Sequence, residues 1–274
     1  MTENKKIIYN FNDFLKWLET KDKGSEYWFR GQRNENWDLT PTLYREAKWK
    51  NIKIGEGIEL VDRAVPNMES EYRNFSDSYK KEFQINAELN ELQKLFFLQH
   101  EGVKTPLLDW TTNPLIALFF ALDNYREIEE RPCLYCLNPH LLNKEHSISG
   151  YTTDNQVSYI EKPLNIDYLS NFSNFTYKHI ISRDSIFNEL PFALYSTREY
   201  SHRISRQSGK FTVHGPFLNT DIKYYKWNNY RITDKKEEKI KIVEKIYIDH
   251  SAVENLKHHL ELFNITRDNI YGIR

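Results

Sequence analysis

Residues 99–122 read QHEGVKTPLLDWTTNPLIALFFAL, and the second half of this stretch is one of the most apolar runs in an otherwise polar chain. Residue 105 is pushed toward extended backbone by the proline after it, and residues 107–110 then predict a short strand. Asn113-Pro114 is typical of a helix start, with asparagine as the cap and proline in the first turn. Residues 115–122 are apolar all round, which predicts a helix buried inside the protein.

Polar side chains precede this helix, and two interpretations of them stay open. They are Gln99, His100, Asp109, Thr111 and Thr112. In the first interpretation they satisfy backbone donors at the turn. In the second a pocket opens there, because a helix N-terminus presents unsatisfied N–H groups that favour anions. The first explains His100 poorly.

Composition narrows the class of protein. The chain has 274 residues, of which 39% are hydrophobic, and a net charge of −1. A protein with this net charge does not have the overall positive field that drives non-specific nucleic-acid binding. Because no apolar run approaches the ~20 residues that cross a bilayer, and no signal peptide is visible, we expect a cytoplasmic protein without membrane contact.

The two cysteines, Cys133 and Cys136, have C-x-x-C spacing. The run CLYCL is typical of a strand, which would point the thiols to opposite faces. We therefore expect neither a redox pair nor a metal site. Helices and strands are mixed without a regular βαβ alternation, and no glycine-rich phosphate loop is present. This predicts a single α+β domain over 1–274, with a mixed, mostly antiparallel sheet and packed helices.

A second group of polar residues, Arg30, Gly31 and Gln32, follows three aromatic residues. An arginine ending a buried strand needs an anionic partner. That partner is either an internal carboxylate such as Asp109 or a phosphate, which the planar guanidinium binds with two hydrogen bonds. Gly31 would let a ligand approach the backbone closely.

The stretch RISRQSGKF at 203–211 is a third candidate. Its basic residues Arg203 and Arg206, with Phe211, would contact a substrate such as a phosphate backbone, or the stretch is a solvated loop.

Taken in order, WFRGQ at 28–32, NWDLTPTLYRE at 36–46, the block at 99–121 and RISRQSGKF resemble the FRG-domain family. The closing stretch at 246–272 is also similar to that family. FRG domains are widespread in bacteria and phages, often near defence genes. The resemblance therefore implies a toxin or anti-phage defence effector with a neutralising antitoxin partner.

The arrangement is also distantly similar to ADP-ribosyltransferases, which implies a split sheet and NAD⁺ as substrate. Arg30 fits their early arginine, and Thr111 or Thr112 fits the polar residue before an A-x-x-F-A-like helix. Gln207 stands where those enzymes carry a glutamate, so Asp109 is the nearest substitute carboxylate. The expected activity is ADP-ribosyl transfer to RNA or protein. The alternatives are a non-catalytic RNA- or nucleotide-binding module and a nuclease with His100 as base.

Overall fold

A computed structural model gives the structure of most of the sheet and of the helices packed on it. It describes residues 6–45, 70–71, 91–126, 131–145, 147–148, 158–159, 164–165, 180, 191–195, 208–215, 231–233, 236–240 and 242–272.

Both strands and helices are present in these residues. The strands are β1 (Ile7–Ile8), β2 (Trp28–Gln32), β3 (Leu107–Thr111), β4 (Cys133–Leu137), β5 (Ser147–Ile148), β6 (Ser158–Tyr159), β7 (Leu164–Asn165), β8 (Phe192–Tyr195), β9 (Gly209–Val213), β10 (Arg231–Thr233), β11 (Lys236–Ile240) and β12 (Val243–Ile248). The helices are α1 (Phe11–Glu19), α2 (Thr42–Arg45), α3 (Glu91–His100), α4 (Pro114–Leu122), α5 (Pro139–Glu145), α6 (Val253–Leu262) and α7 (Arg267–Tyr271).

Eight strands form one sheet in the order β1-β12-β4-β2-β3-β9-β8-β7. The outer pairs β1–β12 and β7–β8 are parallel, and the pairs between them are antiparallel. Two short hairpins, β5–β6 and β10–β11, stand apart from this sheet. The structure confirms the predicted α+β class and the mixed, mostly antiparallel sheet. That residues 1–274 form one domain stays a prediction.

The two faces of the sheet carry separate apolar cores. On one face, strand residues such as Phe29, Leu134 and Ile246 pack against α1, α4 and α6. On the other face, residues such as Trp28 and Trp110 form a second cluster. Strands β2, β4 and β12 contribute to both cores because successive side chains point to opposite faces.

The central helix α4 begins as its sequence predicts. The Asn113 side chain accepts a hydrogen bond from the Leu115 N–H at 2.9 Å, and Pro114 occupies the first helical position. Six residues of the helix are buried, from Ile116 to Leu122. None of the helices in the described ranges is both long and apolar enough to cross a membrane.

A carboxylate on β12 ties the N-terminal elements to the sheet. Glu244 accepts hydrogen bonds from Lys6 at 2.7 Å, from the Trp17 indole at 3.2 Å and from Lys21. Burial raises the pKa of this carboxyl, but the two lysines outweigh burial and bring the pKa down to about 2.

Candidate functional site

The centre of the sheet opens between β2 and β3. These two strands pair at one position, Phe29 with Thr111, whereas β3 pairs with β9 along its whole length. Residues 30–32 and 107–110 therefore border a gap, which we call the β2–β3 gap. Side chains take over the hydrogen bonds that a neighbouring strand would otherwise make, because buried backbone carbonyls need partners.

Arg30 reaches across this gap. Its Nη1 donates to the backbone oxygen of Asp109 at 2.6 Å. The guanidinium Nε is buried and has no hydrogen-bond partner among the described residues. The side chain keeps some surface exposure, yet burial lowers the pKa of Arg30 to about 10 against the opposing charge of Asp109. Arg30 thus stays charged at neutral pH, and its buried Nε–H makes no hydrogen bond to the described residues.

Gln99, on α3, closes the other side of the gap. Its Nε2 donates to the Leu107 backbone oxygen at 3.2 Å and to the Asp109 carboxylate at 2.9 Å. Its Oε1 accepts from the Thr105 hydroxyl, which itself accepts from the Leu107 N–H at 3.2 Å. This network, in which Thr105 is buried, fixes the position of the exposed Asp109 carboxylate.

Arg45, on α2, is a second positive charge that interacts with Asp109. Its Nε donates to the Thr40 backbone oxygen at 2.8 Å. Burial lowers the pKa of Arg45, and the Asp109 carboxylate opposes that shift. The charge of Arg45 also lowers the pKa of Arg30, whereas the Asp109 carboxylate raises the pKa of both arginines. Two guanidinium groups and one carboxylate leave a net positive charge at the gap. The role of Arg45 was not anticipated, although it lies in the NWDLTPTLYRE stretch.

Gln32 adds an unused acceptor. It is 4% exposed, and its Nε2 lies 3.4 Å from the Asp38 backbone oxygen. Its Oε1 is buried without a hydrogen-bond partner in the described residues. Because buried polar atoms are nearly always paired in folded proteins, the unpaired donor on Arg30 and the unpaired acceptor on the same strand are available to bind a ligand.

The two threonines serve the turn between β3 and α4. Thr111 is buried, and its hydroxyl oxygen accepts from the Asn113 N–H at 3.1 Å. Thr112 is exposed, and its N–H donates to the Ser208 backbone oxygen at 3.2 Å. The Thr111 hydroxyl thus satisfies a backbone donor, as the first interpretation expects, and a cofactor-binding role of the two threonines stays a prediction.

Two expectations need correction. A Cβ on Gly31 would lie 1.9 Å from the Ala117 backbone oxygen and 2.5 Å from the Ala121 backbone nitrogen. On the Cβ side of the glycine, helix α4 makes the close approach that the missing side chain permits. Phe211 is 1% exposed, and its ring packs edge-on against Phe96 at 4.6 Å between centroids. It is a core residue and cannot touch a substrate in this arrangement.

The remaining predicted site residues are not brought into the gap by the described structure. His100 is the last residue of α3, and its side chain lies outside the described part. Gln207, Arg203 and Arg206 also lie outside the described residues. Arg30, Gln32 and Asp109 are the predicted residues that the structure does bring together.

A second carboxylate is held near the start of β2. Glu26 accepts from the Tyr195 hydroxyl at 2.5 Å and the Trp28 indole at 2.8 Å, and pairs with His140 at 3.2 Å. Burial raises the pKa of Glu26, and these hydrogen bonds together lower it below the usual value. Nothing in the spacing of these residues predicted the cluster, because they come from three distant segments.

Metal chemistry finds no support in the residues that the structure describes. Among them no group of three or more His, Cys, Asp or Glu side chains lies together as metal ligands would. Cys133 and Cys136 are buried in different cores, and burial raises the pKa of each thiol to about 12. The predicted strand with thiols on opposite faces is confirmed.

Comparison with known proteins gives one match. The family model for the FRG domain matches residues 25–130, which hold the β2–β3 gap, Arg45, Gln99 and helix α4. No curated protein and no solved structure matches the chain. The stretches at 203–211 and 246–272 lie outside the matched residues. Residues 25–130 of the chain thus match the FRG domain, as the resemblance of the sequence predicted.

Proposed function

We propose that this chain binds NAD⁺ at the β2–β3 gap and transfers its ADP-ribose to an acceptor, acting as a toxin or anti-phage effector. The observation that carries the proposal is the pair Arg30 and Arg45 around a single carboxylate. Their excess positive charge suits a diphosphate, which guanidinium groups bind through paired, charge-assisted hydrogen bonds.

The two unpaired atoms, Arg30 Nε and Gln32 Oε1, support a ligand that has both hydrogen-bond acceptors and donors. The free Nε of Arg30 calls for an acceptor such as a phosphate oxygen. The free Oε1 of Gln32 calls for a donor such as a ribose hydroxyl or an amide N–H. NAD⁺ offers both kinds of group within one molecule.

The chemistry requires a carboxylate near the ribose. The bond between C1′ and the nicotinamide nitrogen breaks, the bonding electrons leave with neutral nicotinamide, and a positive charge develops on the ribose. Asp109 would stabilise that charge, as carboxylates do in glycoside hydrolysis. The acceptor oxygen or nitrogen then bonds to C1′ and loses its proton to a base such as Asp109 or water.

The test uses purified protein, labelled NAD⁺ and separate RNA, DNA and protein fractions. Arg30→Lys keeps the charge but removes the two-pronged geometry. Arg131→Lys makes the same change at the Glu35 ion pair, which lies outside the gap, and is the matched control. We expect nicotinamide release and labelling of one fraction, reduced roughly 100-fold in Arg30→Lys and retained in Arg131→Lys. No nicotinamide release with any fraction contradicts the proposal.

A non-catalytic nucleotide-binding module is the second candidate. The observation that favours this candidate is the hydrogen bond of 2.9 Å by which Gln99 already holds the Asp109 carboxylate. Asp109→Asn separates the two functions, because a transferase loses turnover while a binding module keeps its NAD⁺ affinity. Cleavage of RNA without NAD⁺ would instead indicate the nuclease alternative. As a toxin, the protein should arrest growth when expressed alone and be rescued by a neutralising antitoxin protein.

A further inference from the structure

A second polar site lies where β2 ends. An open cleft of about 530 Å³ is lined by Arg33, Asn124, Tyr125 and Arg126. Arg33 follows the last residue of β2, and the other three follow the end of α4. Because α4 packs on Gly31, the end of β2 and the end of α4 lie close together.

The cleft has positive charge without a neutralising carboxylate among the described residues. Arg126 is exposed, and no ion pair or hydrogen bond engages its guanidinium in those residues. The described acidic side chains near the cleft, Asp123 and Glu35, already have partners. Asp123 accepts from the Tyr271 hydroxyl at 2.8 Å and pairs with Arg267 at 3.4 Å.

Glu35, near Arg33 in sequence, is bound by Arg131 at 3.0 Å and 3.3 Å. Glu35 is the acidic residue that follows Arg33 most closely in the sequence, and its carboxylate is paired with Arg131. Among the residues that the structure describes, the lining of the cleft therefore carries a net positive charge.

Aromatic rings stand beside these charges. The Arg33 guanidinium lies 5.3 Å from the centre of the Trp37 ring, and Trp37 is 44% exposed. Tyr125 lines the cleft, and its hydroxyl contacts His250. An arginine beside an exposed indole matches the way in which proteins hold stacked bases next to backbone phosphates.

We propose that this cleft binds single-stranded nucleic acid, with Arg33 and Arg126 on backbone phosphates and Trp37 stacked on a base. The role of this binding in catalysis rests on the proposed function. Arg33 lies three residues beyond Arg30, which is about 10 Å along an extended β-strand. The bound nucleic acid would therefore be the acceptor of ADP-ribose. The binding itself needs no NAD⁺.

The experiment measures fluorescence anisotropy of a labelled 12-nucleotide oligo-U RNA and of the matching oligo-dT, without NAD⁺, over a range of salt concentrations. We expect the Arg33→Ala/Arg126→Ala double variant to bind at least 10-fold more weakly at low salt. Its log–log salt slope should be shallower by roughly 0.7 for each phosphate that the protein no longer neutralises. Trp37→Ala should bind roughly 5- to 100-fold more weakly, with little change in that slope.

Lys257→Ala is the control, since it removes one positive charge from a surface pair with Glu254 away from the cleft. Thermal unfolding of all variants checks that the fold is kept. Arg33→Lys keeps the positive charge, so its salt slope should equal that of the parent protein. Two results would overturn the inference: no oligonucleotide binding by the parent protein, or a double variant within 2-fold of Lys257→Ala. Because nicotinamide release is measured separately with Arg30→Lys, failure of NAD⁺ turnover and failure of strand binding are distinguishable.

Discussion

Replacing Gly31 with alanine tests the packing that holds the site together. The added Cβ would lie 1.9 Å from one backbone atom of α4 and 2.5 Å from another. Ordinary contact begins near 3.4 Å, so strand and helix would have to separate by about 1.5 Å in a core that is close-packed. Both obstacles are backbone atoms of a buried helix, and neither can rotate away.

We expect Gly31→Ala to lower the free energy of unfolding by about 3 kcal/mol, the upper end of the usual cost of overpacking. For a chain of this size that corresponds to a fall in Tm of roughly 6–12 °C. Circular dichroism during thermal and urea unfolding measures both quantities.

Gly24→Ala is the matched control. A Cβ there would lie 3.6 Å from the nearest atom, a carboxylate oxygen of Asp22, which is ordinary contact. This variant should stay within about 0.5 kcal/mol of the parent. If Gly31→Ala is as stable as Gly24→Ala, α4 does not pack on β2 as described, and the glycine must be explained by something other than helix packing.

Other consequences of the structure can be tested in the same preparations. Thr105→Val should cost about 1–3 kcal/mol of unfolding free energy by urea titration, because the Gln99 oxygen and a backbone N–H lose their buried partner; an unchanged midpoint would contradict the network. The folded pKa of Glu244 lies near 2, below the ordinary 4.5, so its stabilisation is present above about pH 4.5 and disappears as the pH falls toward 2. With a 17% exposed side chain and partial solvent screening, Glu244→Gln should lose roughly 1–2 kcal/mol at pH 7 and nothing near pH 2; a pH-independent loss would refute the ion cluster. Cys133 and Cys136 should resist a thiol reagent at pH 8 and react in urea, since burial holds each thiol pKa at about 12; rapid reaction of the native protein would count against their placement.

Local patterns predicted the parts of the fold that depend on local chemistry. Asn113-Pro114 marked the start of α4 because capping and the fixed φ of proline act within one turn. The alternation at 133–137 predicted β4 because side-chain direction in a strand has a period of two. The close association of Arg30 with Asp109 was also foreseen, although the guanidinium binds the backbone carbonyl rather than the carboxylate.

Features that depend on distant segments could not be predicted in this way. Gly31 looks the same in sequence whether a ligand or a helix approaches it, and only the path of α4 decides. Phe211 follows a basic stretch, yet its strand turns the ring toward α3. Arg33 and Arg126 are separated by most of the FRG match, so nothing local indicates that they share a cleft.

The order of strands has a consequence for synthesis on the ribosome. β12 lies between β1 and β4, so each of them lacks a neighbour until residues 243–248 have been made. At 5–20 residues per second, the interval after β4 lasts roughly 5–20 s. During that time the nascent chain exposes unpaired strand edges of the kind that aggregate. The matched residues 25–130 include neither β4 nor β12, so a fragment cut at those limits would lack the strands that flank β2 on its paired side.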